Sequence, residues 1–315
     1  MRVLLVRLDG IGDAAVCAPL IVALIDAGHE VGVALTTRNA GIFAPQAIVA
    51  EHVLERISWP AHGSTPESTA RANAEIAAMR YDVALIATEE PEAFLLAAPI
   101  RERVGFTTEW ARPLKTLWVR SRTTRTVSRS QRPSGEDAHE AEVMYRLGAG
   151  LVRENDPPAD RWQLRRALLA EPETQVHDET NIIVQAGPKW LDAGVDAATL
   201  RAVLERLAPY ARVVAAPGEA EAVREIAGVL PQTFPTLRAW VEAVSRADLV
   251  VTVDTGAAHV AGMLCARVVD VFPDENFDAQ VRRWRPWAAP YRAFRASEVS
   301  GGTGSAFIET ILDGF

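Results

Sequence analysis

Four short polar turns in this chain each follow an apolar run, and each carries groups able to hold or move charge on a phosphate or a hydroxyl. The first is Arg7-Leu8-Asp9-Gly10-Ile11-Gly12-Asp13. Asp13 falls near the start of a helix, where a carboxylate either caps the free N–H groups or serves as a general base. The second turn, Gln185-Ala186-Gly187-Pro188-Lys189, places a cation just after a strand end, as an ordinary surface lysine or as a partner for a diphosphate. The third ends on Glu219, which either complements a helix dipole or accepts from the vicinal hydroxyls of a ribose. The fourth, Asp254-Thr255-Gly256-Ala257-Ala258-His259, sits between a strand-like run and a helical one. There the unpaired N–H groups of a first helical turn, its positive dipole end and a glycine make an anion site. His259 either supports that turn or is a buried histidine satisfied by backbone.

The elements that must position these turns alternate along the chain. Strands are expected at residues 3–8, 31–36, 83–88 and 104–106, with helices at 13–27 (Pro19 inside), 67–79 and 137–151. Residues 153–160, with Asn155-Asp156-Pro157-Pro158, read as a linker. Beyond it the alternation restarts: strands at 182–185, 213–216, 249–253 and 267–272, helices at 197–207, 219–227, 237–245 and 257–264. Two such series predict an α/β protein of two doubly wound domains, whose ligands lie beyond the C-terminal strand ends.

Residues 112–132 hold Arg112, Lys115, Arg120, Arg122, Arg125, Arg129 and Arg132 and no acidic residue. The stretch reads either as a solvated loop or as a patch for an anionic acceptor or membrane headgroups. The 315-residue chain as a whole is nonetheless acidic, with net charge −8, which excludes a global field attracting nucleic acid. Cys17 and Cys265 read as buried thiols of a reducing compartment, and no Cys/His cluster has metal spacing. Arg7 and Asp9 interrupt the first apolar run, so it reads as a strand rather than a signal peptide. No apolar stretch reaches the roughly 18–20 residues that span a bilayer. A cytoplasmic protein follows, at most peripheral to a membrane.

Arg7-x-Asp9-x-Ile11-Gly12-Asp13, followed by Ala18-Pro19-Leu20, resembles the opening motif of family 9 glycosyltransferases, the ADP-heptose:lipopolysaccharide heptosyltransferases and their relatives. Asp254-Thr255-Gly256-x-x-His259, followed by a strand and Phe272, resembles that family's second hallmark. Order and spacing agree over nearly the whole chain, and His139 opens a helix where members often carry a similar residue.

The resemblance implies a GT-B architecture: two Rossmann-like domains facing across a cleft, an acceptor domain at 1–155 and a nucleotide-sugar domain at 156–315, with a C-terminal segment able to pack back on the first. It implies that Asp13 is the general base, with Gly12, Arg112, Lys115, Arg120 and Arg122 on the acceptor side. On the donor side Lys189 would neutralise the diphosphate and Glu219 hold the ribose. Asp254, Thr255 and Gly256 would cradle phosphates and sugar, with His259 in support. The reaction implied is an inverting transfer from ADP-heptose or a related donor to an anionic glycolipid or polysaccharide at the cytoplasmic membrane face, without metal or cofactor.

Three departures fall on the donor side: the short Gln185-Ala186-Gly187-Pro188 run, the loop Pro273-Asp274-Glu275-Asn276-Phe277-Asp278, and the bulky Trp284-Arg285-Pro286-Trp287. They keep open a different donor, or binding without turnover. A nicotinamide oxidoreductase is a third reading, disfavoured because Ala15 and Val16 stand where the dinucleotide fingerprint needs its last glycine.

Overall fold

A computed structural model of the chain describes residues 1–57, 63–107, 112–129, 138–169, 181–264, 267–300 and 305–313. The chain divides into two units, Met1–Pro158 with Arg166–Ala170, and Ala159–Arg165 with Glu171–Phe315. In the first, strands β1 (Arg2–Val6), β2 (Glu30–Thr36), β3 (Ala50–Leu54), β4 (Val83–Ile86), β5 (Glu102–Thr107) and β6 (Arg125–Ser128) form a sheet ordered β3-β2-β1-β4-β5-β6. Every pairing is parallel. The runs Val3–Val6 and Val83–Ile86 are buried throughout, as central strands covered on both faces must be. The order reverses between β1 and β4, and Val6 lies opposite Ile86, so the ends of these two strands open side by side. Such a switch point is where ligands of doubly wound sheets bind.

The second unit repeats the logic with strands β7 (Ile182–Gln185), β8 (Ala211–Val214), β9 (Leu249–Val253), β10 (Arg267–Phe272) and β11 (Tyr291–Arg295), ordered β11-β10-β9-β7-β8, all parallel. Its switch point lies between β7 and β9. One face of this sheet packs Val184, Val251, Val253, Val269 and Val271 against Leu200, Val203 and Leu204 of the helix Ala197–Leu207. The C-terminal helix Ser305–Asp313 joins this same core: Phe307 meets Trp190 and Phe294 edge-on. Burial of each such side chain stabilises by about 1.5–3 kcal/mol.

Several elements differ from expectation. The helix expected at 13–27 is two helices, Ile11–Ala15 and Ala18–Asp26. Pro19 lacks an N–H and its ring would strike the carbonyl four residues back, so it is accommodated only in the first turn of a new helix. The solvated-loop reading of the basic stretch fails over residues 112–129, which form the helix Pro113–Arg122 and strand β6; Arg132 lies outside the described residues, as does Cys265. Strands β3, β6 and β11 were missed because they are edge strands: one side faces solvent, so their sequences mix charges with apolar residues.

Candidate active site

The end of β1 carries the first cluster. Arg7 is 2% exposed, and its guanidinium is surrounded by acceptors. One terminal nitrogen donates to Asp13 Oδ1 at 2.5 Å. The other donates to the Ala87 carbonyl just past β4 and contacts Met144 Sδ. Nε stands 3.1 Å from Asp9 Oδ2. Asp9 in turn accepts from the Thr88 hydroxyl at 3.1 Å. Burial weakens the charged guanidinium, but Cys17, Asp13, Asp9 and Glu140 around it together hold its pKa above the ordinary arginine value.

Asp13 takes the third position of the helix Ile11–Ala15 and turns Oδ2 back to accept the Gly10 N–H at 3.1 Å. Gly12 is buried in the same turn. Both alternatives weighed for Asp13 are thus compatible: the carboxylate caps, and its side chain remains 33% exposed beyond the strand end. Two oxygens offer about four acceptor sites, of which two are engaged by these donors. Cys17, one turn on, is fully buried and pushed up to about 12 by that burial, so it stays a thiol.

A second ring of charge adjoins. Glu89, just past β4, takes Lys115 and Arg129, and Arg129 reaches the fully buried Glu140 at 2.5 Å. Burial alone would raise the Glu89 pKa. The Lys115 hydrogen bond and the charges of Lys115, Arg129 and Arg112 reverse this and hold it below the usual range. His139 caps the helix Glu140–Tyr145, its Nδ1 accepting from the Ala141 N–H. Of the basic residues expected on an acceptor, Lys115 therefore faces this cluster and Arg112 acts on it electrostatically. Arg120 and Arg122 are exposed on the helix Pro113–Arg122. Sequence reasoning gave no role to Arg7, Glu89 or Glu140, which the structure brings to this cluster; for Glu89 the available signal was the charged pair Glu89-Glu90 shortly after a buried strand.

In the second unit Lys189 begins the helix Lys189–Ala193 and lies 3.4 Å from Asp192, both two-thirds exposed. Glu219 closes the short turn after β8 and reaches over the end of β7: a side chain at Gly187 would come within 2.6 Å of its Oε2. Burial there raises the Glu219 pKa, opposed by the charge of Lys189. These two expected donor residues are thus brought together. The short run before Lys189 is anchored by Gln185, which accepts the Trp190 and Trp240 indole N–H groups at 2.9 and 3.1 Å.

The remaining residues expected on the donor side lie at the end of β9. The Asp254 N–H donates to the Val271 carbonyl. Thr255 accepts the Ala257 N–H and meets the Thr252 hydroxyl at 3.0 Å, tying strand to helix Gly256–Leu264. His259 Nε2 stands 3.7 Å from Asp254 Oδ1, with its ring 5.4 Å from that of Trp284. The Trp284-to-Trp287 segment packs on this helix so closely that a side chain at Gly262 would meet the Trp287 nitrogen at 2.8 Å. The loop after Phe272 is held from the other side, Asp274 accepting from Ser297 and Arg295. Asp270, unnoticed in the sequence, lies fully buried opposite Thr252, and neither carboxyl oxygen has a hydrogen-bond partner among the described residues. Burial, then the charge of Asp254, raises its pKa well above the ordinary value; the Val271 N–H offsets this in part, at a geometry short of a hydrogen bond.

Residues 210–301, which hold Glu219 and the whole Asp254–His259 turn, match the glycosyltransferase family 9 (heptosyltransferase) model. Over this stretch the chain is similar to glycosyltransferase family 9, the heptosyltransferases. That is a family of enzymes. No curated protein matches the chain in sequence. Among solved structures it is similar to E. coli heptosyltransferase WaaC with ADP, at 18% identity and TM-score 0.73, with all of both chains covered. WaaC with ADP-2-deoxy-2-fluoro heptose matches at 19% identity and 0.69, again over all of both chains. The E. coli ADP-heptose lipopolysaccharide heptosyltransferase II matches at 16% identity and 0.66, covering 100% of this chain and 98% of its own. At these identities the likeness is one of fold, and it agrees with the GT-B class expected from sequence.

Proposed function

We propose that this family 9 glycosyltransferase moves heptose or a related sugar from an ADP-linked donor to an anionic glycolipid or polysaccharide, with inversion at the anomeric carbon. The first unit takes the acceptor and the second the nucleotide sugar. The observation that carries the reading is the state of Asp13: a carboxylate at a switch point, held by Arg7 and Gly10, with a third of its side chain open to a substrate. In the step, the acceptor oxygen forms its bond to the anomeric carbon as its proton passes to Asp13. The bond from that carbon to the diphosphate breaks, and the diphosphate leaves with the electron pair. Lys189 and the N-terminal N–H groups of the helix Gly256–Leu264 receive the leaving charge, which is electrostatic stabilisation of the kind that dominates such reactions. Glu219 accepts from ribose hydroxyls. The WaaC structures with ADP and with ADP-2-deoxy-2-fluoro heptose support ADP and ADP-heptose as first choices to try.

The loop from Pro273 to Asp278 keeps a second reading in view, a different donor or binding without turnover. Calorimetry against ADP, UDP, GDP and NAD, followed by transfer assays with ADP-heptose, decides between them. The proposal expects ADP to bind preferentially and the product to carry the inverted anomer. Binding of none of the four overturns it; binding without transfer to any glycolipid or polysaccharide favours the binding-only role.

A further inference from the structure

The helix Pro113–Arg122 sorts the basic stretch into two faces. Thr116 and Val119 are buried beneath it, and Lys115 turns to Glu89. The outer face carries Leu114 and Leu117, 82% and 63% exposed, with Arg120 and Ser121 also exposed. Positions 114, 117 and 121 share one helical stripe. Arg112 and Arg122 flank it, exposed at either end. Arg122 stands 5.8 Å from the ring of Trp118, which is itself packed edge-on against Phe94, so the helix is anchored from below. No acidic residue occurs between 112 and 129, in a chain of net charge −8.

Single exposed leucines are ordinary on protein surfaces. Two on one helical stripe, ringed by arginines and free of acids, are the pattern of a helix that lies in a lipid interface. We propose that the outer face of the helix Pro113–Arg122 docks on an anionic lipid bilayer, with Leu114 and Leu117 entering the headgroup–acyl boundary and Arg112, Arg120 and Arg122 meeting lipid phosphates. A bilayer supplies both things this face lacks, an apolar boundary and a dense negative array. A soluble polyanion offers nothing to the leucines. A second copy of the chain would bring its own arginines against these. The inference stands on charge and exposure and does not depend on the transferase reading.

The test is co-sedimentation of the full chain with vesicles of phosphatidylglycerol and phosphatidylcholine, and of phosphatidylcholine alone. Binding is expected to the anionic vesicles only, and to weaken in about 0.5 M salt. Leu114→Ser with Leu117→Ser should lower the anionic-vesicle affinity by about tenfold or more, because both side chains leave water on docking. Thermal midpoints should barely move, since neither leucine is buried. Arg120→Gln with Arg122→Gln should lower affinity and flatten its salt dependence. Equal binding to neutral vesicles, no binding at all, or unchanged binding by the double serine variant overturns the proposal. So does tight binding to dextran sulfate that competes with vesicles and ignores the leucine changes. A dimer in solution that the serine changes dissociate would reassign the face to a second copy.

Discussion

Arg7 and Asp13, six residues apart, are joined by a hydrogen bond of 2.5 Å in which the guanidinium is buried and the carboxylate is partly exposed. This is the arrangement expected of a carboxylate that must stay in one place and still meet a substrate. Replacing Arg7 by Met should reduce kcat about 10- to 100-fold while leaving the donor KM near wild type, since misplaced catalytic groups cost rate steeply. The same change should lower stability by about 1–3 kcal/mol, at the low end for a broken ion pair because Asp9 and Asp13 can hydrate. Arg7→Lys should recover part of both. Steady-state kinetics and urea unfolding measure the two effects separately.

Asp13→Ala should abolish transfer, a loss of at least about 10²–10⁴-fold, with ADP affinity nearly intact. Retention of the wild-type rate by this variant would assign the base elsewhere.

The Glu219 carboxylate occupies space that exists because residue 187 has no side chain. Gly187→Ala should therefore push Glu219 aside and weaken ADP binding about 10- to 150-fold, the range of a lost hydrogen bond to a charged group. The thermal midpoint should change little, because the displaced atom is the tip of a side chain. Calorimetric titration of the variant beside Glu219→Gln checks this: the two should be weakened alike.

Asp270 makes a pH prediction whose sign is fixed by burial. Its carboxyl holds a proton more tightly in the folded protein than in the unfolded chain, for which the ordinary value is 3.8. Between those two values the folded state carries a proton that the unfolded state lacks. Stability attributable to this group is thus present at low pH and lost as pH rises toward the folded-state value, then constant above it. Asp270→Asn removes the titration, so its stability relative to wild type should increase with pH over that window. Denaturant midpoints of both proteins measured from acid to neutral pH give the difference directly.

Cys17 should be inert. With its thiol fully buried and shifted to about 12, iodoacetamide at neutral pH should leave it unmodified in the native protein and label it after unfolding, as read by peptide mapping.

The polar turns after β1, β7, β8 and β9 were legible in the sequence because each depends on contacts within a few residues: an apolar run, a glycine, an acid or cation at the first helical turn. Asp13, Lys189, Glu219 and Asp254 were therefore placed at strand ends before any fold was known. Pro19 carried a local signal too, yet its consequence was misread, since a proline inside a helical pattern marks the start of a new helix when the preceding residues turn. The basic stretch shows the limit. Its charge was plain, but which charges point inward depended on Glu89, a residue just past β4.

By itself, then, the sequence determined the alternation of strands and helices and the chemical groups at each strand end, because periodicity and turn chemistry are short-range. Tertiary structure alone decided the strand orders β3-β2-β1-β4-β5-β6 and β11-β10-β9-β7-β8, since pairing between distant segments leaves no mark in residue spacing. Those orders set β1 beside β4 and β7 beside β9. They bring Arg7 to Ala87, Glu89 to Lys115 and Arg129, and Glu219, from the turn after β8, to Gly187, and they bury Asp270 in β10 opposite Thr252.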